Sequence, residues 1–418
     1  MKDMLGRDNI ITSGQALDLV LQALPEKTVP AAAMEIDEAL GRILAEDLVA
    51  GEDLPPFARS TVDGYAVRAA DTFSASDTMP AYLDLTGEVF MGQSADMVLT
   101  KGCAVKIPTG GMLPEGADAV VMFEHVQVVD ATMLEIMKSV GPAENVIQAG
   151  EDAQRGATVL KKGHRIRPQD IGACAGIGVT RIAVCDKPIV SIISTGDEII
   201  PAASTPKPGQ IRDINSYLLT GMITNAGGKA ARKGIFRDDY QEIRTAVEEA
   251  MKHSDMVLVS GGTSVGTKDL IAGIISDIGS PGLLFHGVSL KPGKPLIGGI
   301  IQGVPVFGLP GHPAAVSICF ELFILPVLQR LSGHDEPLNG LLKPAVSARL
   351  TKNIASTQGR EEHVRVILEK RQDGLWAIPV ISKSGLVTTM VRTDGTVVIP
   401  LSQNGIEQGE LVEVRLFK

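Results

Sequence analysis

The sequence is poor in cysteine, in aromatic side chains and in positive charge. Its four cysteines, Cys103, Cys174, Cys185 and Cys319, are scattered over 418 residues with no C-x-x-C pair. That spacing argues against a zinc site or a disulfide framework and suits a reducing compartment. Lys and Arg number 39 against 49 Asp and Glu, a formal net charge of −10. General affinity for nucleic acid or anionic membrane is therefore not expected, and any anionic ligand must be held by locally placed cations and backbone amides. The opening residues, MKDMLGRDNIITSGQALDLVLQAL, carry charges throughout and have no continuous apolar core beside a small-residue cleavage site. No secretory signal is read there, and a cytoplasmic protein is expected. The most apolar stretch, 314–331, is interrupted by Glu321 and Pro326 and reads as a core helix rather than a membrane span. With few aromatics but 45 Gly and 24 Pro, the cores should be aliphatic and the turns many.

What is present is organised around VLVSGGTSVGTKD, residues 257–269. Val257, Leu258 and Val259 suit a strand buried on both faces, as in a parallel sheet. Gly261, Gly262 and Gly266 then let the backbone approach a ligand closely, with Thr263 and Ser264 between them and Asp269 at a helix start. Successive N–H groups there would seat an anion. The glycine spacing is that of a Walker loop, but Thr267-Lys268 reverses the Lys-Ser/Thr order, and the dinucleotide fingerprint also fails. A tight strand-to-helix turn without ligand stays open for this loop taken alone.

Upstream, Ser13 reads as the N-cap of a short helix bearing Ala16, Leu17, Val20, Leu21 and Leu24 on one stripe. GEDLPPFARSTVDGYAV carries Asp63 in a polar turn, where it can equally cap its own backbone. Runs between 82 and 129 alternate as strands around Thr109-Gly110-Gly111, whose threonine serves a ligand or only the turn. GEDAQRG presents Glu151, Asp152 and Arg155 together. From 187 the pattern becomes strand and helix in alternation, predicting a parallel βαβ domain. Ligands gather outside the carboxyl ends of such strands, so Thr195, Gly196, Asp197 and Glu198 should share a crevice with 261–269. KPGKP adds Lys291 and Lys294 on a stiff turn, and GLPGHP adds Pro310, His312 and Pro313 at a helix start. After 337 the period returns to that of strands, with an Asp373-Gly374 hairpin turn, for a final small barrel or sandwich.

Taken together, LGRILAEDLVA, LPPFARSTVDGYAV, PTGGMLPEGADAVVM, AGEDAQRG, STGDEI, RDINSYLL, SGGTSVGTKD, LKPGKP, GLPGHP and KSG resemble, in order and spacing, the molybdopterin molybdenumtransferase family, to which the E domain of gephyrin is related. The resemblance implies a multidomain α/β plus β fold. Residues 1–50 and 150–185 would form a discontinuous elongated domain, with the 1–27 helix packing on the central domain. A β-rich domain would span 51–149, the molybdopterin-binding α/β domain 186–336, and a small β-barrel 337–418. It further implies an enzyme that takes adenylylated molybdopterin and molybdate, inserts the metal and releases AMP with Mg2+ present, acting as a homodimer with other cofactor-assembly proteins and apo-molybdoenzymes as partners. Glu198 and Asp269 would serve the magnesium, Lys291 and Lys294 the phosphates, and the glycine loop the molybdopterin. Asp63, Thr109 and Asp152 carry over as functional positions, reached from the partner subunit in the expected dimer, and Arg360 and Ser384 carry over as substrate contacts. His312 departs from the family pattern, where asparagine or a small residue is expected, and would make chemistry at this loop depend on pH near neutrality. Molybdopterin adenylylation and a non-catalytic dimeric scaffold or carrier are the rival readings.

Overall fold

The runs Ile189–Thr195 and Met256–Gly261 are apolar on both sides of the chain, and the computed structural model buries them as neighbouring parallel strands with Thr195 opposite Gly261. The model describes residues 11–26, 29–261, 265–334, 344–381 and 384–417, with the side chains of 265–269 excepted. These fall into two compact units, one of 1–32, 41–45 and 184–418, the other of 33–40 and 46–183.

The central sheet of the larger unit uses β1 (Ile189–Thr195), β2 (Lys229–Phe236), β3 (Met256–Gly261), β4 (Pro281–His286), β5 (Ile297–Ile301) and β6 (Val304–Leu309). Their spatial order is β2-β1-β3-β6-β5-β4. The first four are parallel, and β5 and β4 close the far edge antiparallel. Helices cover both faces, as buried parallel strands demand. On one face α1 (Ser13–Ala23), α2 (Asn215–Asn225) and the helical stretch Pro313–Leu331 pack through Val20, Leu219, Ile223, Val316 and Phe323 against Val190, Ile192 and Phe307. On the other, α3 (Tyr240–Met251) and α4 (Val265–Ile278) pack through Val247 and Ile275 against Ile193, Val257 and Val259. The cap of α1 is Thr12 rather than Ser13. The Thr12 hydroxyl accepts from the Gln15 amide at 3.2 Å while the Gln15 side chain accepts from the Thr12 amide at 3.0 Å, a reciprocal pairing that needs the cap three residues before its glutamine. Pro313–Leu331 has a π-helical turn at Phe320–Ile324 just before Pro326, which absorbs the proline's missing donor. It is long and apolar enough to cross a membrane, but it is mostly buried within the protein.

Five strands, β7 (Ala345–Leu350), β8 (Glu361–Arg371), β9 (Gly374–Pro379), β10 (Gly395–Ile399) and β11 (Leu411–Leu416), pair in the ring β7-β9-β8-β10-β11-β7 and close a barrel. Alternate residues Val364, Val366, Val397, Ile399, Val412 and Val414 fill its interior, as the two-residue period of strands requires. A short strand, Leu290–Lys291, adds to the ring parallel to Glu361–Glu362. It ties the lysine turn to the barrel.

The smaller unit contains a six-stranded sheet in the order 119–122, 64–67, 103–107, 81–88, 133–136, 126–128. Tyr65 and Val67 belong to one core cluster and Ala66 to another, so this sheet too is buried on both faces. Gly64 sits where a Cβ would come within 2.0 Å of the Val121 carbonyl oxygen. Only glycine lets this strand lie close enough for Asp63 to begin its turn.

Candidate functional site: two clefts meeting at Gly311 and His312

In the central sheet the chain leaves β1 for β2 on one side and returns to β3 on the other. This reversal opens a crevice beyond Thr195 and Gly261, the place where such sheets bind ligands. A cleft of about 300 Å³ occupies it, lined by Thr195, Glu198, Asn215, Ser260, Gly261 and Pro313 among others. A short parallel pair, Ile199–Ile200 with Ile211–Arg212, holds the loop after β1. Gly196 in that loop has φ +143°, and a Cβ there would lie 2.8 Å from both Glu198 Oε2 and Ile199 Cγ1. A larger side chain would therefore push Glu198 out of place. Asp213 is taken up internally, accepting from the Ser194 hydroxyl at 2.8 Å and the Ser216 amide at 3.1 Å.

A second cleft of about 630 Å³ shares Gly311 and His312 with the first and is lined by Lys291, Lys294, Pro310, Arg360, Arg365 and Ser384 among others. It is cationic for a structural reason. Lys291 pairs with Glu362 at 2.7 Å, and Glu362 also accepts from the Ser356 hydroxyl at 2.7 Å. Lys294 and Arg360 have no ion-pair partner among the described residues. Arg365 donates to the Thr389 hydroxyl at 2.8 Å, and burial pushes its guanidinium down. His363 is tied to Glu361 at 2.6 Å, and that hydrogen bond holds the Glu361 carboxyl below the usual range. Two cations without an ion-pair partner among the described residues, set on a concave surface, can attract an oxyanion. The turn between the lysines depends on Gly293, at φ +128°, where a Cβ would meet Leu290 Cδ2 at 2.8 Å and Cys319 Sγ at 3.0 Å.

The structure thus divides the residues singled out by sequence. Thr195, Glu198, Gly261 and Pro313 line the smaller cleft, and Lys291, Lys294, Pro310, Arg360 and Ser384 the cationic one. Gly196 and Asp197 line a third cleft of about 720 Å³ beside Tyr217, Arg232, Lys233 and Arg237, so Asp197 does not join Glu198. Gly262, Thr263 and Ser264 lie outside the described residues, as do the surroundings of Gly266 and the side chain of Asp269. In the other unit, Thr109 donates to Asp63 Oδ1 through its amide at 2.8 Å and its hydroxyl at 3.0 Å. These bonds hold the Asp63 carboxyl below its ordinary value. Asp152 lines a separate cleft of about 810 Å³ with Leu54, Gly150 and Glu151, to which neither Asp63 nor Thr109 contributes. Asn215, Ser260 and Arg365 were not singled out. Asn215 had a signal available, since it follows Asp213 in RDINSYLL at the start of a helix leading out of the same crevice.

Three family models cover most of the chain: MoeA N-terminal region (domain I and II) over 11–178, Probable molybdopterin binding domain over 191–330, and MoeA C-terminal region (domain IV) over 347–417. The Bacillus subtilis molybdopterin molybdenumtransferase is 33% identical over 387 residues, covering 92% of this chain and 89% of that protein. The chain belongs to the molybdopterin molybdenumtransferase (MoeA) family. Its place in molybdenum cofactor biosynthesis follows. The Staphylococcus epidermidis molybdopterin molybdenumtransferase is 32% identical over 384 residues, covering 92% of this chain and 90% of that one. A crystal structure of the molybdopterin biosynthesis moeA protein from Pyrococcus horikoshii OT3 superposes with a TM-score of 0.84 at 32% identity, over 98% of this chain and 100% of that chain. The family fold, with its central α/β domain and closed five-stranded barrel, is the one described above.

Proposed function

We propose that this family member inserts molybdenum from molybdate into adenylylated molybdopterin and releases AMP. The observation that carries the reading is that a small, glycine-edged cleft at the switch point and a cationic cleft, whose Lys294 and Arg360 have no ion-pair partner among the described residues, meet at Gly311 and His312. A substrate with a heterocyclic end and a phosphoanhydride needs both kinds of surface, and molybdate needs the second. Bringing two anions together is the main electrostatic obstacle to this reaction. Lys291, Lys294 and Arg360 lower it by placing fixed positive charge where the anions meet.

Magnesium would be held by Glu198 together with Asp269. Magnesium takes one or two carboxylates and completes its shell with phosphate oxygens and water, a demand that two carboxylates meet. When bound, it would neutralise charge on the phosphoanhydride. The protein is further read as a cytoplasmic homodimer. The test is to incubate purified protein with adenylylated molybdopterin, magnesium and molybdate, and to follow AMP release with metal incorporation. Glu198→Ala and Asp269→Ala run in parallel, with a chelator control. Molybdate-dependent AMP release, lost in both variants and on chelation, supports the reading. Binding without cleavage by wild type would leave a scaffold or carrier.

A further inference from the structure

Arg365 stands on β8 and donates from Nη1 to the Thr389 hydroxyl at 2.8 Å. Thr389 belongs to the short helix Val387–Val391, in the connection between β9 and β10. Its hydroxyl lies 2.6 Å from the Leu386 carbonyl. A carbonyl can only accept, so the hydroxyl proton points at Leu386 and the hydroxyl oxygen receives the guanidinium N–H. The two bonds run in one direction, from guanidinium to hydroxyl to carbonyl. A residue without a hydroxyl at 389 would break both.

What they pin is the turn that leads into this helix. Upstream of Leu386, Ser384 Oγ lies 2.9 Å from His312 Nδ1, and the Ser384 carbonyl accepts from the Ala314 amide at 3.2 Å. Gly385 comes so near that a Cβ on it would lie 3.4 Å from His312 Cδ2. Ser384 lines the cationic cleft and Gly385 the smaller one, so the turn is a wall at the place where the clefts meet. Apolar packing does little to fix it. The helix has five residues, none of them buried, and a single turn of that length is not stable by itself. Its position must come from hydrogen bonds to more rigid elements, and β8 is the strand that also carries Glu362, the partner of Lys291. An arginine suits the task, because its planar fork donates in a set direction where an ammonium would not.

We infer that Arg365 is a positioning residue for the cationic cleft. Through Thr389 it holds the Ser384–Gly385 turn against His312 and so keeps Ser384 in the wall that carries Lys294 and Arg360. This rests on the reading of that cleft as an oxyanion site and adds the device that sets one of its walls.

The experiment measures molybdate binding to the full-length protein by calorimetry, in wild type, Thr389→Val, Thr389→Ser, Ser384→Ala and the double variant Ser384→Ala with Thr389→Val. Thr389→Val keeps the shape of the side chain and the charge of Arg365 but cuts the relay. It should weaken molybdate binding by about tenfold, the effect of one positioning hydrogen bond. Thr389→Ser, which restores the hydroxyl, should bind within about twofold of wild type. In the Ser384→Ala background Thr389→Val should cost less than about twofold more, because the side chain it positions is gone. Wild-type affinity in Thr389→Val, no rescue by serine, or a full further loss in the double variant would each overturn the inference while leaving the oxyanion reading in place. Absence of molybdate binding by wild type would overturn both.

Discussion

Ser384 Oγ and His312 Nδ1 lie 2.9 Å apart. The bond joins the segment between two barrel strands to the residue that precedes the buried helix, and the Ser384 carbonyl accepts from the Ala314 amide at 3.2 Å beside it. His312 borders both clefts, so this pair fixes how the cationic cleft meets the smaller one. His312→Ala should lower kcat/KM for molybdate by about tenfold, the worth of one positioning hydrogen bond. His312→Asn, whose amide can still reach a hydroxyl, should keep most of the rate. A rate in His312→Ala equal to that of wild type would mean that this bond positions nothing in the reaction.

The two lysines of the KPGKP turn should separate activity from stability. Lys294 has no ion-pair partner among the described residues, so Lys294→Ala should leave the melting temperature unchanged while AMP release falls by about 10² to 10³, as for loss of one charge-stabilising donor. Lys291 pairs with Glu362, whose side chain is only 10% exposed. Lys291→Ala should therefore lower activity and also destabilise the unit by about 1–3 kcal/mol, the cost of leaving a largely buried carboxylate without its partner. Thermal melts and single-turnover rates of both variants decide this. Equal melting temperatures would mean that the Lys291–Glu362 pair contributes no stability.

The turn itself rests on Gly293. Alanine there would have to adopt φ +128° with its Cβ 2.8 Å from Leu290 Cδ2 and 3.0 Å from Cys319 Sγ. Cys319 is fully buried and burial pushes its thiol far up, so it is no nucleophile and acts as packing beneath the turn. Gly293→Ala should cost about 1–3 kcal/mol and displace both lysines, raising KM for molybdate more than Lys291→Ala alone. Adding Cys319→Ala should recover part of the stability, because one of the two clashes is with its sulfur. A variant as stable as wild type would show that the turn tolerates a side chain.

The parts of this architecture that were legible in the sequence are those set by local pattern. Val257 to Val259 had to be a two-sided buried strand because nothing polar interrupts them, and the barrel strands declared themselves by alternation. The separation of Asp197 from Glu198 was not legible, because which cleft each of two adjacent side chains enters depends on the path of the loop after β1. For Asn215 the sequence signals only a helix start beside the crevice. Which way its amide points is fixed by Gly311, 96 positions away. The cap falls at Thr12 rather than at Ser13, the stronger capping type, because only Thr12 stands three residues before Gln15 and exchanges bonds with it.

In the N-terminal unit, stability should depend on pH through Asp170. Its carboxyl is 3% exposed and opens the Pro168–Gly176 helix. It accepts from the Arg167 side chain at 2.9 and 3.0 Å and the Arg167 amide at 2.8 Å, and lies 2.7 Å from His164 Nε2. Arg167 first, then His164, hold the carboxyl well below its ordinary value. Because the folded state prefers the ionised form, the stabilisation is fully present above the unfolded carboxyl pKa of about 4 and is lost as pH falls through it towards the folded value. Asp170→Asn should destabilise this unit by about 2–3 kcal/mol near neutral pH, since charge-assisted bonds to a buried carboxylate are removed. The gap in melting temperature between wild type and Asp170→Asn should stay constant between about pH 5 and pH 7 and close below about pH 4. A gap that persists unchanged into acid would mean that the side chain stabilises the helix through neutral hydrogen bonding alone, with no contribution from its charge.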